Sequence, residues 1–99
     1  MDNKGNNNIT PKNVVTANNV GYFLEQVDNL NTAKVFLDSV ITKFPGRAVA
    51  WLNLGDVNRK LGNVNKAVHN YSTYIELMNQ KNRENKIPKR VKAFVEENN

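Results

Sequence analysis

Trp51-Leu52-Asn53-Leu54-Gly55-Asp56-Val57-Asn58, continued at a distance by Ala67 and Tyr71, is the stretch whose reading decides the fold. Moved back by 34 residues, its neighbourhood meets a copy of itself: Gly55 falls on Gly21, and Asn63-Val64-Asn65-Lys66-Ala67 falls on Asn29-Leu30-Asn31-Thr32-Ala33. Val49, Leu54, Leu61, Tyr71 and Ile75 fall on Val15, Val20, Val27, Leu37 and Ile41. Mostly, small meets small and apolar meets apolar at one offset. A repeat of this length is one supersecondary unit stacked on its copy, and such stacks usually bind other chains rather than perform chemistry.

The organisation follows outward from that stretch. A helix spans about Arg47 to Leu61, Gly62-Asn63 turns, and a second helix runs from about Val64 to Asn79. The earlier copy reads the same way. Thr10 as N-cap and Pro11 at the first helical position start a helix that runs to about Asp28. Asn29 to Asn31 turn, and Asn31 or Thr32 caps a helix through about Phe44, which Pro45-Gly46 ends. Beyond a polar connector, Ile87-Pro88 opens a last helix with Ile87, Val91, Phe94 and Val95 on one face. Apolar alternation is never sustained long enough for a strand. The expected fold class is all-α: two antiparallel helical hairpins and a C-terminal capping helix. Residues 1–9 read as a flexible tail and 10–99 as one helical domain, with repeat one at about 14–47, repeat two at about 48–81 and the cap at about 87–98.

The residues of the second copy resemble the tetratricopeptide repeat (TPR) pattern, in which a Trp, a Leu-Gly pair, an Ala and an aromatic recur at fixed spacing. The departures are Asn58 in place of Tyr, Tyr71 where Phe is common, and Asn79 in place of the closing Pro. The first copy has Ala17 for the Trp and Val20-Gly21 for Leu-Gly, and matches better through Ala33, Leu37, Val40 and Pro45. The likeness covers roughly residues 14–81. It implies a superhelical stack of hairpins in which Gly21, Gly55, Ala33 and Ala67 permit close helix approach. Trp51, Leu54, Leu61, Tyr71 and Tyr74 are expected to fill the space between hairpins. The final helix has no repeat register, since Asn85 and Lys89 stand 34 residues beyond Trp51 and Gly55. It is expected to dock on the second hairpin, with Lys89, Arg90, Lys92, Glu96 and Glu97 facing water.

The resemblance implies that the first helices of the hairpins line a concave groove for a peptide or partner domain. On the second hairpin, Val49, Leu52, Asn53, Asp56, Arg59 and Lys60 share one helical face. On the first, Val15, Asn18, Asn19, Tyr22, Glu25 and Gln26 share the equivalent face. Asn side chains can both donate to and accept from a peptide backbone, and Tyr22 and Leu52 can serve as apolar anchors. The candidate partner-binding residues are therefore Asn18, Asn19, Tyr22, Val49, Leu52, Asn53, Asp56, Arg59 and Lys60. Some family members clamp a C-terminal carboxylate with Lys, Asn and Arg. Here Asn53 fits one place of that set, while Asn18 and Tyr22 stand where a Lys and an Asn belong.

Composition bounds the alternatives. There is no cysteine, and no apolar run approaches the roughly 20 residues of a membrane span. Residues 1–8 hold no signal-peptide hydrophobic region, which slightly favours a cytoplasmic setting, although a start trimmed from a longer protein reads the same way. The only histidine, His69, reads as a packed or partly exposed side chain. Ser39, Ser72 and Thr73 have no base to activate them. No ligand cluster with metal spacing and no phosphate loop occurs, so no cofactor or metal is expected. Of the net charge of +5, residues 81–99 hold a cluster, Lys81, Arg83, Lys86, Lys89, Arg90 and Lys92, against Glu84, Glu96 and Glu97. Phosphate contacts by that cluster are one alternative, disfavoured because no aromatics are interleaved apart from Phe94, which the core needs. A small toxin-neutralising immunity protein or a secretion-type chaperone is another, and a symmetry mate covering the end of the stack a third. The leading expectation is a non-enzymatic scaffold for protein–protein interaction.

Overall fold

The computed structural model describes residues 9–99 and is all-helical: α1 (Val14–Gln26), α2 (Leu30–Lys43), α3 (Ala48–Lys60), α4 (Val64–Gln80) and α5 (Lys89–Asn98), with a 3-10 turn at Glu84–Lys86 before α5. Among the described residues there is no strand. Helices α1 and α2 pack as one pair and α3 and α4 as a second, α2 and α1 both lie against α3, and α5 lies on α4. Contacts between α1 and α3 join residues 35 apart, Asn18 to Asn53 and Glu25 to Lys60, so these two helices run parallel, one unit along the stack from each other.

The turns explain where the helices stop. At Asp28, Gly62 and Asn82 the backbone is left-handed, with φ of 62°, 82° and 57°. After each, an N–H reaches back to close the preceding helix: Asn29 to the Leu24 carbonyl, Asn63 to that of Asn58, and Arg83 to that of Met78, each at 2.8 Å. This is a Schellman closure, for which glycine is the least strained residue and Asn or Asp the common substitute. Asp28 and Gly62 occupy the same place in the repeat.

Local starts depart from expectation in two places. Thr10-Pro11 does not begin α1. Residues 11–13 form a turn in which the Asn13 side chain accepts the Thr10 N–H at 2.7 Å, and α1 begins at Val14. Neither Asn31 nor Thr32 caps α2, which begins at Leu30 behind Asn29. The N-terminal tail expected at 1–9 lies outside the described residues except for Ile9. That residue is not free but buried with Val14, Val40 and Ala50.

Packing follows the repeat. A Cβ built on Gly21 would meet Leu37 Cγ at 2.7 Å, and one on Gly55 would run into the ring of Tyr71. Both glycines therefore mark the point of closest approach within their hairpin. Between hairpins, Ala33, Leu37, Leu54 and Val57 form one buried cluster. The largest cluster joins Tyr71, Tyr74 and Met78 of the second hairpin to Ile87, Val91 and Phe94, which seats α5 as expected. Each fully buried side chain of that size contributes about 1.5–3 kcal/mol. Phe94 meets Tyr71 edge-on at 5.4 Å between centroids, a geometry that adds specificity to the burial.

Candidate functional site

The nine candidate residues separate once their partners are known. Asn18 and Asn53 are buried and bonded to each other, the Asn53 amide donating to Asn18 Oδ1 at 3.4 Å, so they seal the seam between α1 and α3. Asp56 accepts the Tyr71 hydroxyl at 2.5 Å and both terminal nitrogens of Arg90, at 2.7 and 3.2 Å. Lys60 is paired with Glu25 at 2.6 Å and reaches Asp28 at 3.7 Å. The Arg59 guanidinium sits 4.6 Å from the centre of the Phe94 ring. Asn19, Tyr22 and Val49 face solvent, and Leu52 is half-buried against the core around Tyr71.

Those bonds make a recess of about 500 Å³ lined by Glu25, Gln26, Asp56, Arg59, Lys60 and Arg90. Its charges are mostly satisfied from within. Glu25 is buried, yet it takes both Lys60 and the Gln26 amide. The bond to Glu25 holds the Lys60 ammonium charged above a lysine's ordinary range. The Arg90 guanidinium is held likewise by Asp56. Burial, reinforced by the bond to Asp56, pushes the Tyr71 hydroxyl up to about 12. Ions arranged in this way brace α5 and α1 against α3 and leave little to offer a ligand.

A second cleft, of about 720 Å³, is built differently. It opens where the α2–α3 connector, the first turns of α3, the end of α4 and the connector to α5 converge. Phe44, Val49, Leu52, Tyr74 and Met78 supply its apolar surface. Lys43, Arg47, Lys81, Arg83 and Lys86 surround it, and no acidic side chain lines it. None of these five cations is ion-paired with another described residue. Lys81 donates to the Gly46 carbonyl at 2.9 Å, and Arg47 Nε is buried without a hydrogen-bond partner.

The basic cluster read along residues 81–92 is thus divided. Lys81, Arg83 and Lys86 turn to the cleft and meet Lys43 and Arg47, which sequence reasoning left aside. Arg90, expected to face only water, is half-exposed and clamps Asp56. Lys89 and Lys92 remain on the exposed side of α5. The signal for Lys43 and Arg47 was available in the repeat, because Gly46 stands 35 residues before Lys81, the same separation that joins Asn18 to Asn53. Val49 and Leu52 belong to the cleft wall, whereas Asn19 and Tyr22 lie outside it.

His69 is exposed and lies edge-on to Trp51 at 5.9 Å. The Trp51 indole N–H donates to the Pro45 carbonyl at 2.8 Å, fixing the connector beside the cleft. Among the described residues no group of three or more His, Asp or Glu side chains could hold a metal ion, and no helix is long and apolar enough to cross a membrane. No family model matches the chain, and comparison with curated proteins and with solved structures gives no match.

Proposed function

We propose that this chain is a non-enzymatic scaffold of the tetratricopeptide type that holds a peptide or partner domain on the face carried by α1 and α3. The observation that carries the reading is the set of half-exposed apolar side chains on those helices: Val15 and Tyr22 are each 50% exposed, and Val49 is 42% exposed. Aromatic and aliphatic side chains held on rigid helices bind with little loss of rotamer freedom, which is what anchors of an interface need. Asn19, exposed on the same side of α1, adds a donor and an acceptor for a peptide backbone. Asn18 and Asn53 act from beneath, fixing the spacing of the two helices.

Selection of a random peptide library against the protein, followed by mapping of amide chemical shifts, tests the reading. Binders are expected to shift Asn19, Tyr22, Val49 or Leu52, and to lose affinity with Tyr22→Ala or Leu52→Ala. If the selected peptides all perturb the outer surface of α4 and ignore both substitutions, the assignment of this face is wrong.

A further inference from the structure

We propose that the cleft between the α2–α3 connector and the end of α4 receives an acidic peptide segment that lays one bulky apolar side chain on its wall. The proposal deepens the protein-binding reading and rests on it, since Val49 and Leu52 belong to both surfaces.

Charge separates this cleft from the recess beside α5. In that recess Lys60 answers Glu25 and Arg90 answers Asp56. Around the cleft, Lys43, Arg47, Lys81, Arg83 and Lys86 converge from three segments with no carboxylate among the lining residues. Glu84, on the 3-10 turn between Arg83 and Lys86, is not part of the lining. Five like charges brought together around a concave surface repel one another and focus a positive potential that an anionic partner relieves. The N-terminus of α3 adds to it, because Arg47, Ala48 and Val49 lie in the wall and no side chain caps that end.

The apolar part sets the kind of anion. Leu52, Phe44 and Val49 give the cleft its accessible apolar surface, over a floor formed by the nearly buried Tyr74 and Met78. A bare phosphate or a sugar-phosphate backbone has nothing to bury there. Tyr74 is itself almost wholly buried, so its ring offers no open platform on which a base could stack. A segment rich in Glu or Asp with a central Phe or Leu fits both halves.

The test is fluorescence anisotropy with four labelled probes: a Glu/Asp-rich peptide with one central Phe, the same peptide with Ser for Phe, its Lys-substituted counterpart, and oligo-dT. A neutral peptide from the selection described above serves as reference. The wild type is compared with Lys43→Glu/Lys86→Glu, Leu52→Ser and Tyr22→Ala. Lys43 and Lys86 are exposed, so their reversal is expected to leave the fold intact, which circular dichroism checks.

The acidic Phe peptide is expected to bind best, and to weaken about tenfold or more when the two lysines are reversed or salt is raised from about 50 to about 200 mM. Loss of the Phe or of Leu52 is expected to weaken it further. Oligo-dT binding as tightly as the acidic peptide, with the same loss on lysine reversal, would assign the cleft to nucleic acid and overturn the proposal. Acidic-peptide binding that ignores the lysine reversal overturns it too. Should only the neutral reference bind, and lose affinity with Tyr22→Ala, the cleft proposal fails and the broader reading stands. If no probe binds, both fall.

Discussion

Val57 has no exposed surface, whereas Phe23, one repeat earlier and at the same place on its hairpin, is 62% exposed. Leu54 and Ala50 are buried, and their counterparts Val20 and Thr16 are not. The reason is positional. The face of α3 that carries Ala50, Leu54 and Val57 is covered by α2, while no described residue precedes α1 to cover it in the same way, apart from Ile9 near its start. Asn58 and Asn70, buried and bonded at 2.7 Å, replace Leu24 and Phe36 of the first unit. One register thus supports two environments. A repeated residue reports backbone geometry; its burial reports its neighbours.

The sharpest test of that separation is at the glycines. Gly55→Leu is expected to cost about 3 kcal/mol or more in urea denaturation, because the new side chain would collide with a Tyr71 ring pinned by Asp56 and Phe94. Gly21→Leu meets the aliphatic Leu37, which no hydrogen bond or ring contact holds in place, so its cost should be smaller. Equal costs would break the comparison. Next in size, Val57→Ala should lose about 2 kcal/mol through the cavity it leaves. Phe23→Ala should change stability by no more than about 0.5 kcal/mol; a loss comparable to that of Val57 would mean that Phe23 is covered in solution.

Alkali separates the hairpins by another route. An unfolded tyrosine ionises near pH 10, but Tyr71 in the fold keeps its proton to about 12. Its contribution is complete below pH 10 and is lost as pH rises toward 12, because the unfolded chain then binds fewer protons than the native one. Lys60 and Tyr74 are raised as well and add a fall of the same sign. The urea midpoint should therefore drop between about pH 10 and about pH 12, and drop less in Tyr71→Phe. Leu37→Ala, an apolar change in the first hairpin, should leave the slope unchanged.

The smallest effect concerns the matched turns. Asp28→Gly should stabilise by about 0.5–1 kcal/mol, since it relieves a left-handed side-chain residue at the loss of only an exposed contact to Lys60. Gly62→Asp should lose a similar amount. Thermal melts in which the two changes move in the same direction would refute the equivalence of the turns.

What was legible in the chain followed from periodicity. The four hairpin helices, the glycine contacts with Leu37 and Tyr71, and the seating of Ile87, Val91 and Phe94 all depend on residue size at fixed spacing. The roles of the polar residues were harder to see. Asn18 and Asn53 look solvent-facing on a helical wheel, because the partner that satisfies each lies on another helix. The same holds for Glu25, buried beneath Lys60. Lys43 and Arg47 sit far along the chain from Lys81, and only the stacking of one unit on the next brings them to one cleft. A turn is also less legible: residue type alone makes Thr10 a cap, whereas in the fold the Asn13 side chain accepts the Thr10 N–H.

The stack has a direction, and α5 gives it an end. Its inner side is filled by Tyr71, Tyr74 and Met78, and its outer side carries Lys89, Lys92, Glu96 and Glu97 in solvent. A designer lengthening this molecule would find the two termini unequal as building sites. A hairpin fused ahead of α1 could place an aliphatic helix over Phe23 and Val27, as α2 lies over Val57. One fused after α5 would meet charge, and would need that helix rewritten before the array could grow.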